Sequence, residues 1–387
     1  MKKTLIISLV CIVSFNTNIF SQEHILKQIE ENNTLLSSLR SLTEAEKIGN
    51  KVGLTPENPE IEFAKMLSGE EVTELEVTQS FDFPTTYYQR KKYTDKLNSQ
   101  SELKYLIERK NILLEAKIIC IQLTFSNALA EQLKQQMELT KQISDAYLKR
   151  YEVGEVSILD LNKSKYDYLN AQKDYNDVVI ERNSLLEELK RLNGGIAINF
   201  TNNNFSEIML PADFEAWYNA QKANNQELLY LNREIAVSKN NEKLQRAINL
   251  PKITAGYRME KLPNVSSHGV ILGLSVPLWE NRNTVKQIKA QTKAYEQAEA
   301  DANLQHYHQT KAIYQKAVEL QLMTNEFKNF QLSDNTVVLL KKSLDKGEIS
   351  LIDFILELGI YYELVQNKLE MERDFHLVVA EMEQWNL

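Results

Sequence analysis

YEVGEVSILD, Tyr151 to Asp160, and LDKGEISLID, Leu344 to Asp353, are two copies of one stretch, and their reading decides the fold. Gly154, Glu155, Ser157 and Asp160 recur 193 positions later as Gly347, Glu348, Ser350 and Asp353. In each copy a long helical periodicity runs in, breaks at the glycine and resumes after the aspartate. Glycine supplies the left-handed residue that ends a helix, and serine caps the helix that follows. The same offset holds upstream. VTQSFDFP ends at Pro84 and ILGLSVP at Pro277, while Asn33, Leu35, Leu36 and Arg40 fall on Gln226, Leu228, Leu229 and Arg233. The asparagine pair itself slips by one, Asn32-Asn33 against Asn224-Asn225. A repeat of this kind orders everything else in the chain. The first copy spans 22–192, a linker 193–212, and the second copy 213–387.

Each copy reads as helix, β-hairpin, long helix, turn, helix. Apolar residues at helical spacing predict one helix from His24 to Gly53, stopped by Pro56 and Pro59. Over 59–84, Ile61 and Phe63, then Leu75, Val77, Gln79, Phe81 and Phe83, alternate with polar residues such as Glu74, Thr78, Ser80 and Asp82 around a turn at Ser68-Gly69. After Pro84 the helical period lasts to Arg150, a rod on the order of 100 Å at ~1.5 Å per residue. The helix beyond 151–160 reaches Leu192 and is about half as long. The second copy repeats the order. It has a helix at Phe214 to Ala247, a hairpin over 250–278, a long helix to the turn at 344–353, and a last helix to Leu387. Pro84 and Pro277 read as strand-to-helix switches, because proline resists ladder pairing but fits a helix start. Tyr257 and Trp279 are assigned to an interfacial aromatic girdle.

Composition narrows the class. Lys2 and Lys3 precede an apolar run from Leu5 to Phe15, and smaller polar residues follow to Ser21, so 1–21 reads as a signal peptide with a mature start near Gln22. No later apolar run is expected to cross a bilayer as a helix. The formal charge of -8 counts both leader lysines, and this acidity speaks against nucleic acid as a partner. Cys11 falls in the leader, which leaves Cys120 without an intramolecular disulfide partner. Only 11 Gly and 7 Pro in 387 residues suit long helices better than a loop-rich enzyme.

Two hairpins give four strands, each expected to be about 8 to 11 residues, the length of a tilted strand crossing hydrocarbon. Val77, Phe81, Phe83, Val270, Leu272, Leu274 and Val276 would face lipid, and Thr78, Ser80, Asp82 and Ser275 would face water. Four strands cannot close a barrel in a membrane, where an open edge is not tolerated. The chain must therefore contribute its strands to a shared barrel, and three copies would make twelve.

Taken together, YEVGEVSILDLNKSKYDYLNAQKDY at Tyr151 to Tyr175, the weaker copy at Leu344, VTQSFDFP, and LGLSVPLWENRN at Leu272 to Asn283 resemble the TolC-like outer-membrane efflux proteins over essentially the whole mature chain. The resemblance implies an α/β membrane duct. Long antiparallel helical hairpins would form an α-barrel in the periplasm, and four strands per chain would enter a twelve-stranded transmembrane β-barrel of a homotrimer in the outer membrane lipid. It also implies partners, namely a periplasmic adaptor protein and an inner-membrane transporter, proton-driven, that supplies the energy. The family's acidic constriction maps onto Asp353, with Asp160 at the matching position of the first turn. The second acidic position is Leu356 here, with Glu357 beside it, so the aperture is expected to be less acidic or to use Glu357. The QSFDFPTTYYQRK run at Gln79 to Lys91 leans toward the heavy-metal cation branch. Relatives with a lipid anchor use an N-terminal cysteine that is missing here, so anchoring falls to the barrel.

No catalytic constellation is visible, and neither enzyme activity, a cofactor nor a bound metal is expected. His306 and His308 do not share a helix face, and with His24, His268 and His376 they read as surface or packing residues. Rings of Asp160 and Asp353 at the narrow end would attract cations, although both positions also suit first-turn aspartates at a helix N-terminus. The turns, with Gly154, Glu155, Ser157, Gly347, Glu348 and Ser350, and with Val156/Ile349 and Ile158/Leu351, are expected to present a semi-apolar knuckle to the adaptor. The alternative class is a periplasmic or surface coiled-coil scaffold or adaptor without a pore. A duct would need detergent and a scaffold would not.

Overall fold

Breaks in the helical period set the element order. The structure, a computed structural model, describes residues 17–66, 71–279, 281–329 and 335–387. The elements are α1 (Thr17–Asn32), α2 (Thr34–Gly49), β1 (Glu60–Lys65), β2 (Thr73–Phe81), α3 (Pro84–Glu152), α4 (Ile158–Leu192), α5 (Phe214–Lys222), α6 (Gln226–Ile248), β3 (Lys252–Lys261), β4 (Ser266–Ser275), α7 (Thr284–Asn329), α8 (Thr336–Asp345) and α9 (Leu351–Met382). A short 3-10 turn at Gln384–Asn386 follows. The expected leader up to residue 16 and the Ser68-Gly69 turn lie outside the described residues. Both copies contribute to each of two units. One unit comprises residues up to Thr34, Lys110–Phe214 and Thr310–Leu387, and the other Leu35–Arg109 and Glu215–Gln309.

The first unit is helical. Ala116 and Leu123 of α3, Leu189 and Leu192 of α4, and Val379 and Met382 of α9 are all buried in it. Helix α3 contains a window long and apolar enough to cross a bilayer, contrary to expectation, but 56% of that window is buried inside the protein. Its apolar character is used for packing. Cys120 lies in this window, and burial pushes its thiol up to about 12, so it stays protonated. The linker has no backbone ladder and is held by side chains instead. Asn127 Nδ2 donates to the Asn202 carbonyl at 2.8 Å, Gln321 to that of Ile208 at 3.2 Å, and the Tyr314 hydroxyl to that of Pro211 at 2.7 Å.

Two expected helices are interrupted. The first breaks at Asn33, which is 5% exposed and whose Nδ2 donates to the Leu192 carbonyl at 2.8 Å. An asparagine that bonds a carbonyl elsewhere gives the chain an alternative to continuing the helix. In the second copy the break falls between α5 and α6, where Asn225 is the N-cap of α6 and its Oδ1 accepts from Leu228 N at 3.0 Å. The long helix of the second copy is described as α7 and α8, with 330–334 outside the described residues.

The second unit holds the sheet, antiparallel in the order β1-β2-β3-β4. Its register sorts the side chains cleanly. The rows Ile61–Val77–Tyr257–Val270 and Phe63–Leu75–Met259–His268, with Phe81–Ile253–Leu274, fall on one face. Glu62–Glu76–Arg258 and Ser80–Thr254–Gly273 fall on the other. β1 has only 6 residues, shorter than expected, while β2, β3 and β4 have 9, 10 and 10. Phe83 and Val276 lie past the ends of β2 and β4 and are not strand residues.

His306 is more than the packing residue the sequence suggests. Its Nδ1 meets the Tyr218 hydroxyl at 3.0 Å and its Nε2 meets Asn225 Nδ2 at 2.7 Å. Because Asn225 Oδ1 is taken by Leu228 N, the amide must donate to Nε2, which makes the imidazole neutral with its proton on Nδ1. Burial lowers its pKa and favours the same form.

Candidate functional site

The two helical turns are closed by the same backbone bonds. Gly154 (φ 76) and Gly347 (φ 73) take the left-handed conformation that only glycine adopts without strain. Gly154 N–H donates to the Tyr151 carbonyl at 3.0 Å and Glu155 N–H to that of Arg150 at 2.9 Å. The second copy repeats this pair, Gly347 to Leu344 at 3.0 Å and Glu348 to Ser343 at 2.9 Å. These bonds close the C-terminal ends of α3 and α8. Ser157 and Ser350 then start α4 and α9. Each serine oxygen accepts from the backbone N–H three residues on, of Asp160 and of Asp353, at 3.2 Å. Each hydroxyl also donates to that aspartate's carboxylate, at 2.7 and 2.6 Å. At Ser350 the box is complete, since its own N–H reaches Asp353 Oδ2 at 3.3 Å.

Replacing Ser350 by alanine removes the serine half of that box, leaves its backbone N–H to Asp353 in place, and is expected to lower stability by ~1 kcal/mol, with Ser157→Ala costing about the same. Hydrogen exchange at the Asp353 and Asp160 amides checks this. The protection lost should be similar at the two amides.

Beneath the turns lies a closed apolar cluster of Ile143, Tyr147, Leu161, Leu344, Leu351, Phe354, Leu358 and Tyr362, drawn from α3, α4, α8 and α9. Val156 and Ile349 pack against it. The expected knuckle is corrected accordingly. Leu351 is buried and Val156 and Ile349 are partly so, because each turn folds its apolar residues under itself. The apolar residues that do face outward are Val153, Ile158 and Leu159 at the first turn and Ile352 and Leu356 at the second.

Asp353, Leu356 and Glu357 are exposed, and Asp160 is half-buried with Lys163 Nζ 3.9 Å from its Oδ1. Glu155 pairs with Arg150 at 3.3 Å and Glu348 with Lys346 at 3.6 Å. The turns therefore carry both signs of charge. Among the described residues no group of three or more His, Cys, Asp or Glu could hold a metal ion. Two apolar stripes remain open along the helices beyond the turns, Leu159, Tyr166 and Leu169 on α4 and Ile352, Leu356 and Ile360 on α9. Steps of three, four and seven are those of side-by-side helix packing.

The carboxylate with a perturbed pKa in this region is Asp167, which the sequence did not single out. It shares a face of α4 with the buried Ser164 and Ala171, at steps of three and four. Burial raises it from 3.8 to about 6. The folded chain thus holds this proton more tightly than the unfolded one. The resulting stabilisation is fully present below about pH 3.8 and is lost as pH rises through 6. Asp167→Asn should melt ~2–4 °C above wild type at pH 7 to 8 and lose that advantage below pH 4. Melting curves at the two pH values decide.

In the other unit, Pro84 is the first residue of α3. Pro277 only ends the strand, because α7 begins at Thr284. Tyr257 lies in mid-β3, opposite Val270, and its hydroxyl bonds His268 Nδ1, so it does not mark a strand end. Trp279 does lie just past β4 and is 77% exposed. The apolar face of the sheet is open, with Ile61 and Phe63 at 69% and 68% exposed and Val270, Leu272 and Leu274 at 80%, 81% and 68%. Within the described chain β1 and β4 each pair on one side only.

No protein-family model matches the sequence, and no curated protein matches it. Solved structures do. A membrane protein from Pseudomonas aeruginosa superposes with a TM-score of 0.77 at 11% identity, covering 94% of this chain and 89% of that one. The Campylobacter jejuni CmeC outer membrane channel gives 0.71 at 13% identity, covering 94% and 85%. The open state of the Neisseria gonorrhoeae MtrE outer membrane channel gives 0.70 at 12%, covering 94% and 88%. The chain thus has the fold of these channels, long helical hairpins with four antiparallel strands.

Proposed function

We propose that this chain is one protomer of a trimeric outer-membrane duct in a tripartite efflux pump, a passive conduit rather than an enzyme. The observation that carries the reading is the sheet. Its apolar face is open to the surroundings, its other face is polar, and both of its edges lack a partner strand within the described chain. In hydrocarbon such edges must be closed, and pairing β4 of one copy with β1 of the next around a threefold axis closes them with twelve strands. The open apolar stripes on α4 and α9 support the same assembly, because they suit packing against helices of neighbouring copies. In this reading the helices stand in the periplasm and the turns meet a periplasmic adaptor that connects the duct to an inner-membrane transporter. Asp160, Asp353 and Glu357 then line the aperture. Heavy-metal cations are the proposed cargo, on the strength of the Gln79 to Lys91 run.

Single-channel recording of detergent-purified protein in a planar bilayer tests this. Discrete cation-selective openings are expected, and Asp353→Ala and Asp160→Ala should reduce the preference for cations severalfold. Openings unchanged by either substitution keep the duct but remove the acidic aperture. Folded protein that stays in solution without detergent and never opens a channel sinks the duct and favours a coiled-coil scaffold.

A further inference from the structure

We propose that the two junctions where the sheet gives way to helix form a basic belt that binds the headgroup phosphates of anionic phospholipids. The proposal rests on the reading of the sheet as part of a membrane barrel and names the lipid that surrounds its helical end. Both junctions lie in one unit of the fold.

The sequence after each junction is cationic in a chain whose formal charge is -8. Arg90, Lys91, Lys92 and Lys96 are offset only by Asp95 at the start of α3. From Trp279 to Tyr295 come Arg282, Lys286, Lys289 and Lys293, offset only by Glu280. Of these, Lys286 in the first turn of α7 opposes the helix dipole, which favours anions at an N-terminus. Helices α4, α5, α6 and α9 follow that preference with Asp160, Glu215, Glu227 and Asp353 in their first turns. Helices α3 and α7, which leave the sheet, have no acid there, as α1, α2 and α8 also do not, and α7 has Lys286 as its third residue. An external anion would offset this cost.

The side chains are also available. Arg90 is committed to Asp82 at 2.9 Å and Lys252 to Glu57 at 2.9 Å, and Lys289 lies 3.9 Å from Glu242. None of the ion pairs among the described residues engages Lys91, Lys92, Arg282 or Lys286, and all four are exposed. They stand beside exposed aromatics. Lys92 Nζ lies 4.4 Å from the Tyr88 ring centroid, Tyr88 is 57% exposed, and Trp279 precedes Arg282. Aromatic rings with lysine and arginine beside them, next to an apolar band, suit the boundary between hydrocarbon and headgroups. Lys92 sits about 12 Å into α3, and a lysine stem can run back along the helix to present its ammonium at the headgroup layer.

The test uses the full chain in lipid nanodiscs that contain one part phosphatidylglycerol to four parts phosphatidylcholine. Lipid retained after transfer of the protein to detergent is then quantified by mass spectrometry. Wild type should retain phosphatidylglycerol above the bulk ratio. The combined variant Lys91→Gln, Lys92→Gln, Arg282→Gln and Lys286→Gln should lower that enrichment at least about fivefold. Neutralising Lys163, Lys165, Lys173 and Lys190 on α4 should leave it unchanged. Should the belt variant fail to fold, the same loss is expected for wild type when salt is raised from 0.05 to about 0.5 M. Insertion with lipid retained at the bulk ratio, or equal losses in both variants, overturns the belt and leaves the duct standing. Protein that does not enter the discs at all overturns the membrane reading and the belt with it.

Discussion

Gly194→Ala is expected to destabilise the helical unit by on the order of 3 kcal/mol, while Gly195→Ala, one residue away, should cost about 1 kcal/mol. Both glycines have positive φ, +66 and +86, so both pay the penalty of a side chain in the left-handed region. They differ in what a methyl group would meet. A Cβ at Gly194 would sit 2.4 Å from the Asn32 carbonyl oxygen, whereas at Gly195 nothing lies within 4 Å. The Asn32 backbone cannot yield freely. Asn32 Nδ2 donates to Asn193 Oδ1 at 3.0 Å, Asn193 Nδ2 donates to the Ile196 carbonyl at 2.9 Å, and Asn193 is fully buried. Asn33, next along the chain, holds the Leu192 carbonyl. A shift that relieves the clash therefore stretches a buried polar junction whose unpaired members would each cost about 1–3 kcal/mol. Urea unfolding of the two variants checks the difference. Equal losses would mean that the α1 to α2 break is not pinned at this junction.

That junction also marks where the sequence stops being legible. Gly154, Gly347, Ser157 and Ser350 could be read directly because turn and cap chemistry is local, each residue acting on a backbone group a few positions away. The alternation in β2 to β4 was legible for the same reason, since the pleat assigns faces residue by residue. The break at Asn33 was not, because the carbonyl that fixes it belongs to Leu192, 159 residues on. Nor was the start of α7. Proline reports where a strand cannot continue, and Pro277 does so, but it does not oblige a helix to begin there. At the turns, Val156 and Ile349 lie where the helical period has lapsed, so their inward direction is decided by the cluster they join. Asp167 did carry a signal, its steps of three and four from Ser164 and Ala171, which put it on a buried face of small residues.

Phe354→Ala should have the largest effect of any single change at the turns, about 3–5 kcal/mol. Phe354 is 0% exposed and lies in a cluster that joins the two hairpins, with Ile143, Tyr147 and Leu161 from the first and Leu344, Leu351, Leu358 and Tyr362 from the second. Removing the ring leaves a cavity among residues whose backbones are already fixed by the glycine turns and serine caps, so the site can collapse only in part. Leu356, two residues on, is 60% exposed, and Leu356→Ala should stay within about 0.5 kcal/mol in the same measurement. The pair separates packing from function. If the turns form the narrow end of a duct, loosening their core should let them splay, and Phe354→Ala should show longer or larger single-channel openings together with faster proteolysis near Gly347. Leu356→Ala should change current without any change in proteolysis. A Phe354→Ala protein that loses stability while its openings and its cleavage near Gly347 stay as in wild type would show that the cluster supports the hairpins without governing the aperture.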